Sequence, residues 1–197
     1  MKHKLFCMLA LTVFALVGFA ANPAGAATTA AGPYYANPSW DQQLPASTRF
    51  VVLSNWIDAA HPSGGAAVLD RETGLVWEQS PSTTPLQWGG TGVLFNRSAQ
   101  YHCNDLNAGS RTGWRLPTIQ ELLSLVDRSV SPADPTLPSG HPFSNVLSHG
   151  YWSATIDASL TGDAWYVNFF DGGVQSNVKG NFNFAWCVRG GQGVDPQ

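Results

Sequence analysis

Ile119, Leu122, Leu123 and Val126 fall at i, i+3, i+4 and i+7, a spacing that gives a helix one apolar face. The residues before them set its start. Pro117 ends an extended segment, Thr118 can accept from a free amide of the first turn, and Glu121 can reach back to the Thr118 amide, which completes a capping box. The pattern predicts about three turns of helix, ending near Asp127-Arg128 and ahead of Pro132. A further helical pattern runs from about Asn96 to Asn107, with Ala99, His102, Cys103 and Leu106 on one face and Asn107-Ala108-Gly109 as its stop.

Elsewhere the period drops to two. Arg49 to Leu53 reads as a first strand. A hairpin follows, built from Ala67-Val68-Leu69 and Leu75-Val76-Trp77, with Asp70 opening the turn through its side chain and Gly74 supplying a positive φ. Tyr151 to Thr155 is a strand. Ala164 to Phe170 is another, setting Trp165, Val167 and Phe169 against Tyr166, Asn168 and Phe170, and Asp171-Gly172-Gly173 turns the chain into a return strand at Val174. The last strand alternates Phe182, Phe184, Trp186 and Val188 with Asn183, Ala185, Cys187 and Arg189. Loops lie at 58–65 and 80–92, the latter anchored by Trp88. The proline-rich loop at 129–150 is long for a compact domain, which marks it as functional or as a flexible excursion. The order of hairpin, two helices, long loop and antiparallel strands predicts an α+β domain.

The first residues stand apart from that pattern. Met1-Lys2-His3-Lys4, an apolar run to Ala21 and the small-residue site Ala24-Gly25-Ala26 read as a secretory signal peptide over residues 1–26. Residues 27–47, rich in Ala, Thr, Pro and Gly, read as a linker or loosely ordered arm; the domain is expected over 48–191, with a short tail at 192–197. Removing the leader leaves eight basic residues against thirteen acidic ones, without a Lys/Arg run. That balance speaks against nucleic acid and anionic membrane as partners. No later segment is apolar for long enough to span a bilayer, so the mature chain is expected to be exported: periplasmic, secreted or at the cell surface. Cys103 and Cys187 remain after cleavage. One disulfide between them, stabilising by about 4–5 kcal/mol through loop closure, is the first expectation; free thiols or a metal site are the alternative.

Several blocks in order resemble the Lcl C-terminal domain family. They are Asp70 to Trp77, Cys103 with Leu106, Trp114-Arg115-Leu116-Pro117-Thr118 with Glu121-Leu122, Tyr151 to Thr155 with Trp165 to Phe169 and Gly172-Gly173, and Cys187-Val188-Arg189. The resemblance spans about 48–190. It implies a C-type-lectin-like fold, two helices packed on antiparallel sheets with long loops, related in outline to the sulfatase-modifying-factor (formylglycine-generating) domains. It also implies a structural disulfide from the first helix to the last strand, where Cys103 and Cys187 fall, and an exported or cell-surface domain of largely unassigned role. The family's name-giving adhesin binds glycosaminoglycans, a ligand that the acidic balance here does not favour.

These readings converge on a secreted or cell-surface, non-catalytic binding or adhesion module for a glycan or a surface protein. Aromatic faces stack on sugar rings and amides or carboxylates meet the hydroxyls, so Trp165, Asn168, Asp171 and Asn183 are the candidate binding residues. Each has a structural reading too: Trp165 as core, Asp171 as a turn residue. The alternatives are a structural or assembly subunit of the cell envelope, suggested by eight tryptophans in so short a chain, and a formylglycine-generating-type enzyme. No catalytic residue is assigned, since no Ser-His-Asp spacing, His-Glu-x-x-His or phosphate-cradling loop is present, and His61, His141 and His149 show no readable partner. No cofactor or metal is expected. Calcium finds no support, because the Glu-Pro-Asn and Gln-Pro-Asp tripeptides of calcium lectins are absent. Trp114, Arg115, Leu116, Pro117, Thr118 and Glu121 are read as architectural, with Arg115 bonded to carbonyls or a carboxylate of its own domain. Thr118→Ala is therefore expected to lower unfolding free energy by about 1 kcal/mol in a denaturant titration and to leave ligand binding intact.

Overall fold

The computed structural model describes residues 44–89, 97–130 and 135–190. The expected leader, the arm up to residue 43, the first part of the expected Asn96–Asn107 helix, residues 131–134 and the expected tail lie outside the described residues. The chain is α+β, as the order of patterns predicts. A four-stranded antiparallel sheet runs β1 (Phe50–Val52), β2 (Ala67–Asp70), β3 (Val76–Glu78) and β7 (Val188–Arg189) side by side. A three-stranded antiparallel sheet runs β4 (Gly150–Ile156), β5 (Asp163–Asn168) and β6 (Gly173–Val178). Helices α1 (Ala46–Arg49), α2 (Ala99–Asp105) and α3 (Ile119–Ser124) complete it, with a 3₁₀ turn at Ala108–Ser110.

The capping box forms as read. The Thr118 hydroxyl accepts from the Glu121 amide, the Glu121 carboxylate accepts from the Thr118 amide, and Arg115 clamps the same carboxylate at 2.6 and 2.8 Å. The helix is shorter than the pattern predicts, stopping at Ser124 rather than near Asp127. The cause is competition for its last carbonyls. The Ser124 hydroxyl donates to the Glu121 carbonyl, and the Ser124 carbonyl accepts from the Arg49 guanidinium at 2.8 Å. Leu125 and Val126 still reach the core from the turn that follows.

Arg49 is itself a correction. It closes the helical turn of α1 instead of starting β1, and its side chain is fully buried. Its guanidinium meets both oxygens of Asp70, at 2.9 and 2.7 Å, and lies 3.4 Å from Glu72. Asp70 opens the hairpin turn as expected, accepting from the Glu72 amide at 3.0 Å, while Gly74 takes φ 70°. One carboxylate thus fixes the turn and neutralises a buried cation, ties that the sequence pattern alone does not display.

The alternation from Phe182 to Arg189 is present, but it does not mark one wet face. Trp186 and Val188 enter one core cluster, with Phe50, Trp77, Leu122, Tyr151 and Phe169; Ala185 and Cys187 enter a second, with Trp56, Trp88, Trp114, Leu116 and Trp152. The segment is buried on both faces because it passes between the sheets, pairing with β3 and with Arg115, and through Phe184 with Tyr151. Phe182, the first of the alternating residues, is exposed. The Cys103–Cys187 disulfide joins α2 to this segment, and Trp88 anchors its loop by donating from Nε1 to the Ser153 carbonyl. The described part of the 129–150 loop is no flexible excursion. Leu137 and Phe143 are buried in the first cluster, and Phe143 meets Trp186 edge-on at 4.9 Å. Trp165, whose structural reading was core, is only partly buried and belongs to neither cluster.

Asp70→Asn would take the two-point counter-charge from the buried Arg49 guanidinium and leave it only the more distant Glu72 carboxylate, 3.4 Å away. Its unfolding free energy in a denaturant titration is expected to fall by about 3–5 kcal/mol, and a loss below about 1 kcal/mol would contradict this account of the pair.

Candidate functional site

Where the loop after β1 comes back against the end of β3, the two leave an open cleft of about 680 Å³. Four stretches wall it. The loop supplies Asp58 to His61, β3 and its continuation supply Glu78 and Ser80, the turn after α2 supplies Leu106 to Ala108 and Ser110, and the long loop supplies Ser144 and Asn145. Ala66 closes it from the edge of β2. The lining holds two carboxyl groups, a histidine, two amides and three hydroxyls beside alanine methyls and one leucine, and no lysine or arginine.

The walls are held from behind. One Asp58 oxygen accepts from the amides of Ala60 and His61 and sits 3.0 Å from His61 Nδ1; the other accepts from the Gly109 amide at 2.8 Å. Burial works to raise that carboxyl, and the bonds from Gly109 and His61 overcome it, so it stays below the ordinary carboxylate value. His61 therefore has a partner after all, three residues upstream. Gly109 makes this approach feasible: at φ 64° a Cβ would lie 2.6 Å from Trp56 Cβ. Ser110 and Asn145, both lining the cleft, are the two non-glycine residues at positive φ among the described residues. Backbone held in that region concentrates at functional sites.

Glu78 forms the deepest polar group of the wall. It is 8% exposed, and Oε2 accepts from the Cys187 amide at 3.3 Å. Burial pushes its carboxyl from the ordinary 4.5 up to about 8, the Cys187 amide working the other way. His102 lies behind it on α2. Burial lowers that imidazole, with Asp105 opposing, and its Nε2 is buried without a hydrogen-bond partner. Ligand atoms of Glu78, His102 and Cys187 lie within 4.8 Å of one another, yet the Cys187 sulfur is in the disulfide, so the trio offers two free ligands and fits no closed metal cage.

The four residues nominated from sequence lie elsewhere. Asn168 and Asp171 accept from the Phe170 and Gly173 amides and shape the β5–β6 turn. Trp165 pairs opposite Ser176 within the sheet. Asn183 bridges to Leu86, and its Nδ2 is buried without a partner. None of the four lines the cleft. The residues that do line it carried faint signals: Asp58 and His61 at i, i+3, and a glutamate on the face of β3 opposite Trp77, where alternation places solvent.

Glu78 gives a pH signature. The folded chain keeps a proton that the unfolded chain sheds above pH 4.5, so stability is greatest below that value and falls as pH rises to about 8. The slope is at most roughly 1.4 kcal/mol per pH unit. Urea titrations across that window should show the decline in the native chain and a flatter profile for Glu78→Gln; identical slopes would contradict the burial of a neutral carboxyl.

No curated protein matches the chain. The family model for the Lcl C-terminal domain matches residues 66–189, which includes β2 to β7, α2, α3 and both bridged cysteines. With well over half of its length inside that match, the chain belongs to the Lcl C-terminal domain family.

Proposed function

We propose that this chain is an exported, non-catalytic binding module of C-type-lectin-like architecture, and that its cleft takes a short stretch of glycan at the cell surface or in the surrounding medium. The composition of the cleft carries the reading. Glu78, Ser80, Asn107 and Asn145 present donors and acceptors around an opening of about 680 Å³, with alanine and leucine surface between them. A ring of sugar hydroxyls needs that mixture: several directed polar groups on a partly apolar, largely pre-formed floor. The walls are braced by the disulfide and by the Asp58 bonds to Gly109 and His61, so little ordering entropy is lost on binding.

The other expected roles draw less support. Six of the seven described tryptophans are buried, so the tryptophan count reflects the core rather than an aromatic docking surface for an envelope assembly. A formylglycine-generating chemistry would require a reactive cysteine pair, and Cys103 and Cys187 are bonded to each other. The disulfide and the leader suit an oxidising compartment outside the cytoplasm. Calcium and other cofactors have no part in this reading.

A glycan array with the purified mature chain tests it, paired with two variants. Asn107 is exposed at the rim, so Asn107→Trp fills the opening without disturbing the core. It should weaken binding of any glycan hit by about tenfold or more, or about 1.4 kcal/mol, while Trp165→Ala leaves binding unchanged. No hit on the array, or loss on Trp165→Ala alone, would overturn the proposal.

A further inference from the structure

Glu78 sits at the cleft as a carboxyl without a counter-charge. No lysine, arginine or histidine forms an ion pair with it among the described residues. Its Oε2 takes one long bond from the Cys187 amide, Oε1 has no hydrogen-bond partner among the described residues, and the side chain is more than nine-tenths buried while still lining the opening. A buried carboxyl group that is neither paired with a cation nor fully hydrogen-bonded keeps its proton, and a cation that reaches it lets it ionise. The other carboxyl of the lining, Asp58, is different, because both of its oxygens are committed to amides and to His61.

We infer that the cleft selects a sugar unit bearing a primary ammonium group, an amino sugar, with Glu78 as its counter-charge. This rests on the reading of the cleft as a glycan site and names the ligand class. An anionic sugar would meet two carboxyl groups and no lysine or arginine in the wall. A neutral sugar would satisfy the hydroxyl and amide groups of Ser80, Asn107 and Asn145 and leave Glu78 without a charged partner. An ammonium supplies the positive charge that the protein withholds, in surroundings where Coulomb attraction is stronger than in water.

The exchange balances as a proton release. Glu78 holds its proton in the empty cleft, since burial raises its carboxyl to about 8. When the ammonium enters, the carboxyl O–H bond breaks, the proton passes to buffer, and the carboxylate pairs with the intact ammonium. The other titratable groups around Glu78 are His102 on α2, Tyr151 on β4, and Asp58 with His61 across the opening.

The test is calorimetry at about pH 6, where the Glu78 carboxyl and the sugar amines both hold their protons, with a glucosamine tetramer, its N-acetylated counterpart and a lysine tetrapeptide, in two buffers of different ionisation enthalpy. The glucosamine tetramer should bind about tenfold more tightly than either other ligand and release close to one proton, and Glu78→Gln should bring the two saccharides within about twofold of each other. The proton count on the native chain decides the matter if Glu78→Gln does not fold. Equal binding of the two saccharides, no proton release, or tighter binding of the peptide overturns the amino-sugar assignment alone. Binding of neither saccharide overturns the amino-sugar assignment, and the glycan reading beneath it falls as well only if the glycan array is also empty.

Discussion

Ala185, Trp186, Cys187 and Val188 are buried on both sides, and the rest of the molecule is fastened to them. The Cys187 sulfur is bonded to α2, and its carbonyl accepts from the Glu78 amide on β3. Val188 pairs with Trp77 on one edge and with Arg115 on the other, which brings in the capped helix. Trp186 donates to the Glu78 carbonyl at 2.9 Å and is ringed by Trp77, Phe143, Tyr151 and Phe169, the last two from the second sheet and the strand end beyond it. A chain with short strands and short helices gains little cooperativity from any one element. Here the central strap supplies it, and the covalent bridge holds the strap to the helical side of the fold.

The cleft is a by-product of that arrangement. Because Cys187 and Trp186 both bond to Glu78, the end of β3 is held rigidly, and its carboxyl is pinned under α2 instead of swinging into solvent. The loop after β1 then closes the opposite wall through Asp58, which reaches the turn after α2 at Gly109. Two buried carboxyl groups therefore have contrasting fates. Asp70 is matched by Arg49 and serves stability, whereas Glu78 is left unmatched beside an opening. An uncompensated group costs stability, and a cationic ligand that completed it would offset that cost.

Much of the framework was legible in the sequence because it rests on local signals. The hairpin turn with Gly74, the capping box at Thr118 and Glu121, and the Asp171 turn each need only a few consecutive residues to specify them. The limits came from long-range competition. Ser124 loses its carbonyl to Arg49, 75 positions away, and the helix ends early. Phe182 to Arg189 alternates correctly, yet periodicity reports two faces without saying that both are dry. The binding residues nominated from sequence were chosen by chemistry on strands and turns, where Asn168 and Asp171 prove to be engaged by their own backbone. The cleft is assembled from four separated stretches, so no single window of sequence displays it.

The central claim is that ligand meets this chain at Glu78 and the surrounding walls rather than on the β5–β6 hairpin. Amide chemical-shift mapping during titration with a glucosamine tetramer addresses it directly. The account predicts the largest shifts at Asp58 to His61, Glu78 to Ser80, Leu106 to Ser110 and Ser144-Asn145, with Trp165 to Asp171 still. Shifts concentrated on Trp165, Asn168 and Asp171, with the cleft amides unmoved, would contradict it.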